Sequence, residues 1–123
     1  MFSKEKIKYF KEKLEKERER LEKGLEYVAK KSSKIAGDWE VSLGDLNIET
    51  SDKNELADVF EELETHAAIE DKLEEGLTLV NQALGRIKRG TYGICHSCKN
   101  SIEEKRLEAN LVAKNCIKHA GQS

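Results

Sequence analysis

At 123 residues the chain is long enough for one domain of ordinary size, yet only 37% of it is hydrophobic and another 37% is charged. That supply excludes a thick globular core and favours long helices joined along a narrow apolar seam. No run is apolar and long enough for a membrane span, and the charged N-terminus is not a signal peptide. Three cysteines without an export signal point to metal and thiol chemistry in the cytoplasm rather than to disulfides.

The net charge of -2 hides a strong segregation. Residues 1–36 carry 12 basic and 7 acidic side chains, residues 37–75 carry 2 and 14, and residues 76–123 carry 8 and 3. An acidic block between two basic ones is attracted to cationic protein surfaces or metal ions and repels phosphates, which argues against a duplex-wrapping protein.

Residues 3–36 predict a helix. Ser3 is placed to cap it, and Ile7, Leu14, Leu21, Val28 and Ile35 recur every seven residues, with Phe10 and Leu25 widening the stripe. Glu17, Gly24 and Lys31 make the seam imperfect, and Gly24 permits a close helix approach or a bend. Gly37 fits the position that ends this helix.

The connection over 37–51 is too apolar for a plain linker. Trp39, Val41, Leu43, Leu46 and Ile48 are expected to pack over the open end of a hairpin; the alternative is Trp39 exposed as an anchor for a partner. A second helix is predicted over 52–89, capped by Ser51 or Asp52, with Glu55 at capping-box spacing from Asp52. Its stripe combines Leu56, Leu63, Glu70, Leu77 and Leu84 with Val59, His66, Leu73, Val80 and Ile87, broadened by Phe60 and Ala67. His66 in that stripe is expected to be a packed seam residue. Gly90 and Gly93 stop the helix.

Neither stripe is stable alone in water. Pairing the two helices as an antiparallel coiled-coil hairpin buries both, lays the basic first helix along the acidic start of the second, and gives each a length of roughly 50 Å or more. The fold class is therefore mainly α: a long hairpin over 1–89, with its acidic tip around 37–57, followed by a small C-terminal zinc finger over 90–123.

The finger is read from Cys95-x2-Cys98, 17 residues, then Cys116-x2-His119. Two short hooks of soft donors are the spacing of a structural zinc site, and four protein ligands leave no open position for catalysis. Lys99 and Asn100 form the turn after the first hook, and Cys116 and His119 start a short terminal helix. His96 is a competing donor, badly directed beside Cys95. Arg86, Lys88, Arg89, Lys99, Lys105, Arg106, Lys114 and Lys118 surround the site, with Arg106 placed to pair with Glu103 or Glu108. No catalytic carboxylate pair, triad or phosphate loop is present, so enzyme activity is not expected.

Gly90-Thr91-Tyr92-Gly93-Ile94-Cys95-His96-Ser97-Cys98, then Ile102, Arg106-Leu107-Glu108-Ala109, Cys116 and His119, resemble the DksA/TraR family of bacterial zinc-finger transcription regulators. The resemblance implies docking on RNA polymerase without sequence-specific DNA binding. The coiled coil would enter the secondary channel, its tip near the catalytic magnesium. A D-x-x-D-x-A tip pattern associated with activity is matched by Asp52-Lys53-Asn54-Glu55-Leu56-Ala57, with Glu55 in place of the second aspartate. The tail after His119 is shorter than in the longer members, so the resemblance does not carry a guanosine tetraphosphate response to this chain. Two other readings differ in kind: a zinc-stabilised interaction module with a non-polymerase partner, and direct nucleic-acid binding through the basic finger.

Overall fold

The computed structural model describes the backbone of residues 2–45 and 50–121 and the side chains of 2–38 and 54–121. It is mainly helical. Helix α1 runs Lys4–Asp45, α2 runs Thr50–Arg89, α3 is the short Glu104–Ala109, and a 3-10 turn covers Ile117–His119. Two compact units result, Met1–Arg20 with Gly76–Ser123, and Leu21–Glu75.

Ser3 caps α1 as its position predicts: its hydroxyl accepts the Lys6 N–H at 3.2 Å. Gly37 does not end the helix, which continues to Asp45. A helix stop needs a left-handed residue whose neighbours capture the last carbonyls, and a lone glycine in a chain without proline costs only about 1 kcal/mol of propensity. The expected connection therefore shrinks from both ends, because α2 also begins earlier, at Thr50. Leu46 and Ile48, and the side chains of Trp39, Val41, Leu43, Ser51 and Asp52, lie outside the described residues.

In the Leu21–Glu75 unit the two long helices pack as an antiparallel, coiled-coil-like pair. A Cβ on Gly24 would lie 3.3 Å from Leu73, and the Ser32 hydroxyl meets His66 Nδ1 at 3.0 Å, so advancing along α1 means retreating along α2. Leu25, Val28, Ile35, Leu56, Val59, Leu63 and Leu73 are half-buried along this seam and Leu21 is buried. His66 is a half-buried seam residue with a side-chain partner, as its place in the stripe predicts. Phe60 and Ala67 do not broaden the stripe. Phe60 is 56% exposed and Ala67 is exposed as well, because two helices bury only a narrow seam and residues one step outside it face water.

The other unit has the denser core. Phe10, Leu14, Ala83 and Leu107 are fully buried, with Val80, Tyr92, Ile102 and Ala113 almost so. Phe10 stands edge-on to Phe2 with ring centroids 5.9 Å apart and lies 5.8 Å from Tyr92. It thereby ties the start of α1 to the segment after α2. Burial pushes the Tyr92 phenol up to about 12, and its hydroxyl donates to the Leu111 carbonyl at 2.8 Å. Truncating Phe10 to Ala is expected to cost about 3–5 kcal/mol, read as a lower urea midpoint. Phe60→Ala, at an exposed site, is expected to stay within about 0.5 kcal/mol of the parent. Equal losses from the two would contradict this placement of the core.

Candidate metal centre

The C-terminal segment is set up by the way α2 stops. Gly90 adopts φ +77°, its N–H donates to the Ile87 carbonyl at 3.1 Å, and the Thr91 N–H donates to the Arg86 carbonyl at 2.8 Å. This is the glycine-terminated helix end that Gly37 lacks. Three residues on, Gly93 has φ +82°, and a Cβ there would fall 2.6 Å from the Phe2 ring. The ring therefore packs directly on the backbone that leads into the first hook.

That hook is a tight knuckle. Ile94 bridges Ser101, the Cys95 N–H donates to the Asn100 carbonyl at 2.8 Å, and the Lys99 N–H returns to the Cys95 carbonyl at 2.9 Å. Lys99 takes the left-handed conformation, φ 65°, which makes the turn predicted at Lys99 and Asn100. The second hook opens the 3-10 turn, with the His119 N–H donating to the Cys116 carbonyl at 3.0 Å. His96 N–H to Lys114 carbonyl, 3.0 Å, stitches the two hooks together.

The donors of Cys95, Cys98, Cys116 and His119 all lie within 4.8 Å of one another, a set capable of holding a metal ion. Cys98 Sγ is 3.8 Å from Cys116 Sγ, and His119 Nδ1 is 3.1 Å from Cys116 Sγ and 3.8 Å from Cys95 Sγ. Cys95 and Cys116 are buried. His96 is exposed and stands outside the set.

The sulfurs differ in how readily they ionise. Burial pushes the Cys95 thiol up, but backbone N–H groups of Cys116, Cys98 and Ser97 aimed at its sulfur prevail and bring it down to about 6. Burial and the neighbouring thiols of Cys95 and Cys98 hold Cys116 up. A cation between them favours the thiolate throughout, so loading the cage releases protons.

The bracing around the cage differs from the expected ion pair. Arg106 does not reach Glu103 or Glu108; its Nε donates to the Asn115 carbonyl at 2.7 Å. The two acids are engaged elsewhere. Glu103 accepts the Ile117 N–H at 3.3 Å, and Glu108 accepts the Tyr9 hydroxyl and Lys13 Nζ at 3.0 and 3.1 Å. Lys6 pairs with Glu104. Asn115 is 3% exposed, its side chain against Cys95 Sγ. Arg106 thus fixes the segment that carries Asn115 and Cys116. Arg106→Ala is expected to weaken metal retention by about tenfold or more, as loss of an outer-shell partner does, measured by chelator competition at constant pH. Unchanged retention would show that the guanidinium does not position the second hook.

Phe2, Tyr9 and Asn115 had no signal in the sequence. Tyr9 and Glu108 are 99 residues apart, and no local pattern encodes such a contact. Of the expected tip residues, Glu55 and Ala57 are exposed near the start of α2, and the Asp52 side chain lies outside the described residues.

No family model matches the chain, and no curated protein does. Among solved structures it is similar to the transcription factor DksA2 from Pseudomonas aeruginosa, with a TM-score of 0.77 and 21% identity over 94% of this chain and 81% of that one. The likeness is one of fold. Beside it stands the Cys3His set, capable of holding a metal ion.

Proposed function

We propose that the chain is a DksA/TraR-type transcription regulator that binds RNA polymerase in the cytoplasm. Residues 1–89 serve as the arm and residues 90–123 as a zinc finger. The observation that carries the reading is the combination of a shared fold over nearly the whole chain with a closed Cys3His cage. Zinc is the ion best suited to that set. Zn–S bonds of about 2.3 Å in a tetrahedron place two sulfurs about 3.8 Å apart, which is the Cys98–Cys116 separation. Cys95, Cys98, Cys116 and His119 hold it, and its task is structural.

In this reading the arm enters the secondary channel, and Asp52, Glu55 and Ala57 act near the catalytic magnesium. Support comes from the acidic block over 37–75 and from the exposure of Glu55 and Ala57. Carboxylates there would be drawn to a bound cation or a cationic channel wall. Docking is to protein, without sequence-specific DNA binding. Affinity capture from bacterial lysate with the zinc-loaded chain tests the partner. Polymerase subunits are expected in the captured fraction. Their absence, with another protein captured in stoichiometric amount, would favour an interaction module of a different kind.

A further inference from the structure

In the unit formed by Met1–Arg20 and Gly76–Ser123, a groove of about 420 Å³ lies between α1 and α2, lined by Lys11, Glu15, Arg18, Leu84, Ile87 and Lys88. The finger holds α1 through Tyr9, Phe10 and Lys13, and helical spacing puts Lys11, Glu15 and Arg18 on the other side of that helix. Leu84 and Ile87 are only half-buried and make an apolar floor. Three cations and one carboxylate make the rim. Among the described residues Lys11 and Lys88 form no ion pair. The Leu21–Glu75 unit carries the inverse pattern. Phe60 is 56% exposed on α2, and Ala57, Glu64, Ala67 and Asp71, all exposed, share its face at helical spacing. The alanines leave the ring standing clear, and among the described residues neither Glu64 nor Asp71 forms an ion pair.

We infer that the groove of one copy of the chain receives the Phe60 face of a second copy. An apolar knob on one surface and a matching pocket on another, both on the same chain, are what a contact between copies needs. The ring covers Leu84 and Ile87, and the carboxylates beside it meet Lys11, Arg18 and Lys88. The wider charge pattern agrees: residues 37–75 carry 2 basic and 14 acidic side chains, and residues 76–123 carry 8 and 3. Complementary rims steer the encounter and fix which faces meet. One aromatic anchor with a charged rim makes a small interface, so the association is weak and reversible. It covers the Phe60 face of α2, so self-association withholds that face from any other partner and dilution releases it. The inference stands apart from the polymerase reading and does not depend on it.

The test is sedimentation equilibrium of the zinc-loaded full chain, from about 1 μM to about 1 mM, at low and at high salt. Reversible association is expected, and added salt should weaken it. Phe60→Ala should weaken it by about tenfold or more; the side chain is exposed, so the fold is not at stake. Lys11→Glu with Lys88→Glu should do the same from the groove side. Lys8→Glu with Lys105→Glu makes the same charge change at exposed positions outside the groove and should retain association. The Phe60→Ala chain keeps the groove and the Lys11→Glu/Lys88→Glu chain keeps the ring, so the two should associate when mixed although neither does so alone. A chain that stays monomeric throughout leaves the groove to another protein and overturns the inference. Equal losses in the two charge-reversed variants, association indifferent to Phe60→Ala, or a mixture that stays apart would overturn it as well.

Discussion

Removing the ion from Cys95, Cys98, Cys116 and His119 is expected to unfold the segment after Gly90 and to leave α2 intact up to its last turns. Little in that segment is regular. It holds one six-residue helix, one three-residue turn and a single bridge between Ile94 and Ser101. Its buried side chains are few, chiefly Tyr92, Ile102, Leu107 and Ala113. Structural zinc contributes about 10–16 kcal/mol of apparent binding energy in small fingers, whereas burying four such side chains contributes roughly 6–12 kcal/mol before the entropy of ordering the segment is met. Hydrogen exchange before and after chelation reads the effect directly: protection of the amides of Cys95, Lys99 and Ile102 should fall to the level of an unfolded chain. Cys116→Ser should behave like the chelated protein. Protons compete with the ion for thiolates. The Cys95 thiol is brought down to about 6 by its backbone donors while Cys116 is held up, so Cys116 is expected to take up a proton before Cys95 as the ion is lost in acid. Retained protection without metal would show that the cage is not what holds the finger.

The second large effect is expected at the acidic end of α2. Replacing Asp52 by Asn and Glu55 by Gln removes two charges without changing side-chain size. A carboxylate about 4 Å from a cation gains roughly 4 kcal/mol at an effective dielectric constant of 20. Loss of the effect on transcription by about tenfold or more is therefore expected, with binding to polymerase retained because the rest of the arm is unaltered. Purified polymerase, a defined promoter and run-off transcription give the readout. Equal activity of D52N/E55Q and the parent chain would sink the tip mechanism while leaving the fold and the cage untouched.

The metal cage was legible because it is written locally. Each hook is two residues wide, and soft donors at that spacing have few other uses. The helical seam was legible for a similar reason, since a seven-residue period reports which face is covered. Helix ends were less so. Gly37 and Gly90 look alike in the sequence, yet only Gly90 takes the left-handed conformation with both return hydrogen bonds, and α1 runs through Gly37. What separates them is the chain that follows: after Gly90 it turns into a packed finger, after Gly37 it meets nothing that forbids another turn. Phe60 was misread because apolar character does not say how wide the covered stripe is. Arg106 was misread because the nearest acids in sequence, Glu103 and Glu108, are held by Ile117, Tyr9 and Lys13. The start of α1 contacts the finger through Phe2, Tyr9 and Lys13, and no pattern within either segment announces that the two meet.

The most direct test of the proposed function is to place a photo-cross-linker at Asn54, an exposed position beside Glu55, and to irradiate the zinc-loaded chain with purified bacterial RNA polymerase. The account predicts cross-links to polymerase segments that line the secondary channel close to the catalytic magnesium. A stable complex whose cross-links from residue 54 fall only on the outer surface of the enzyme, or the absence of any complex, would contradict it.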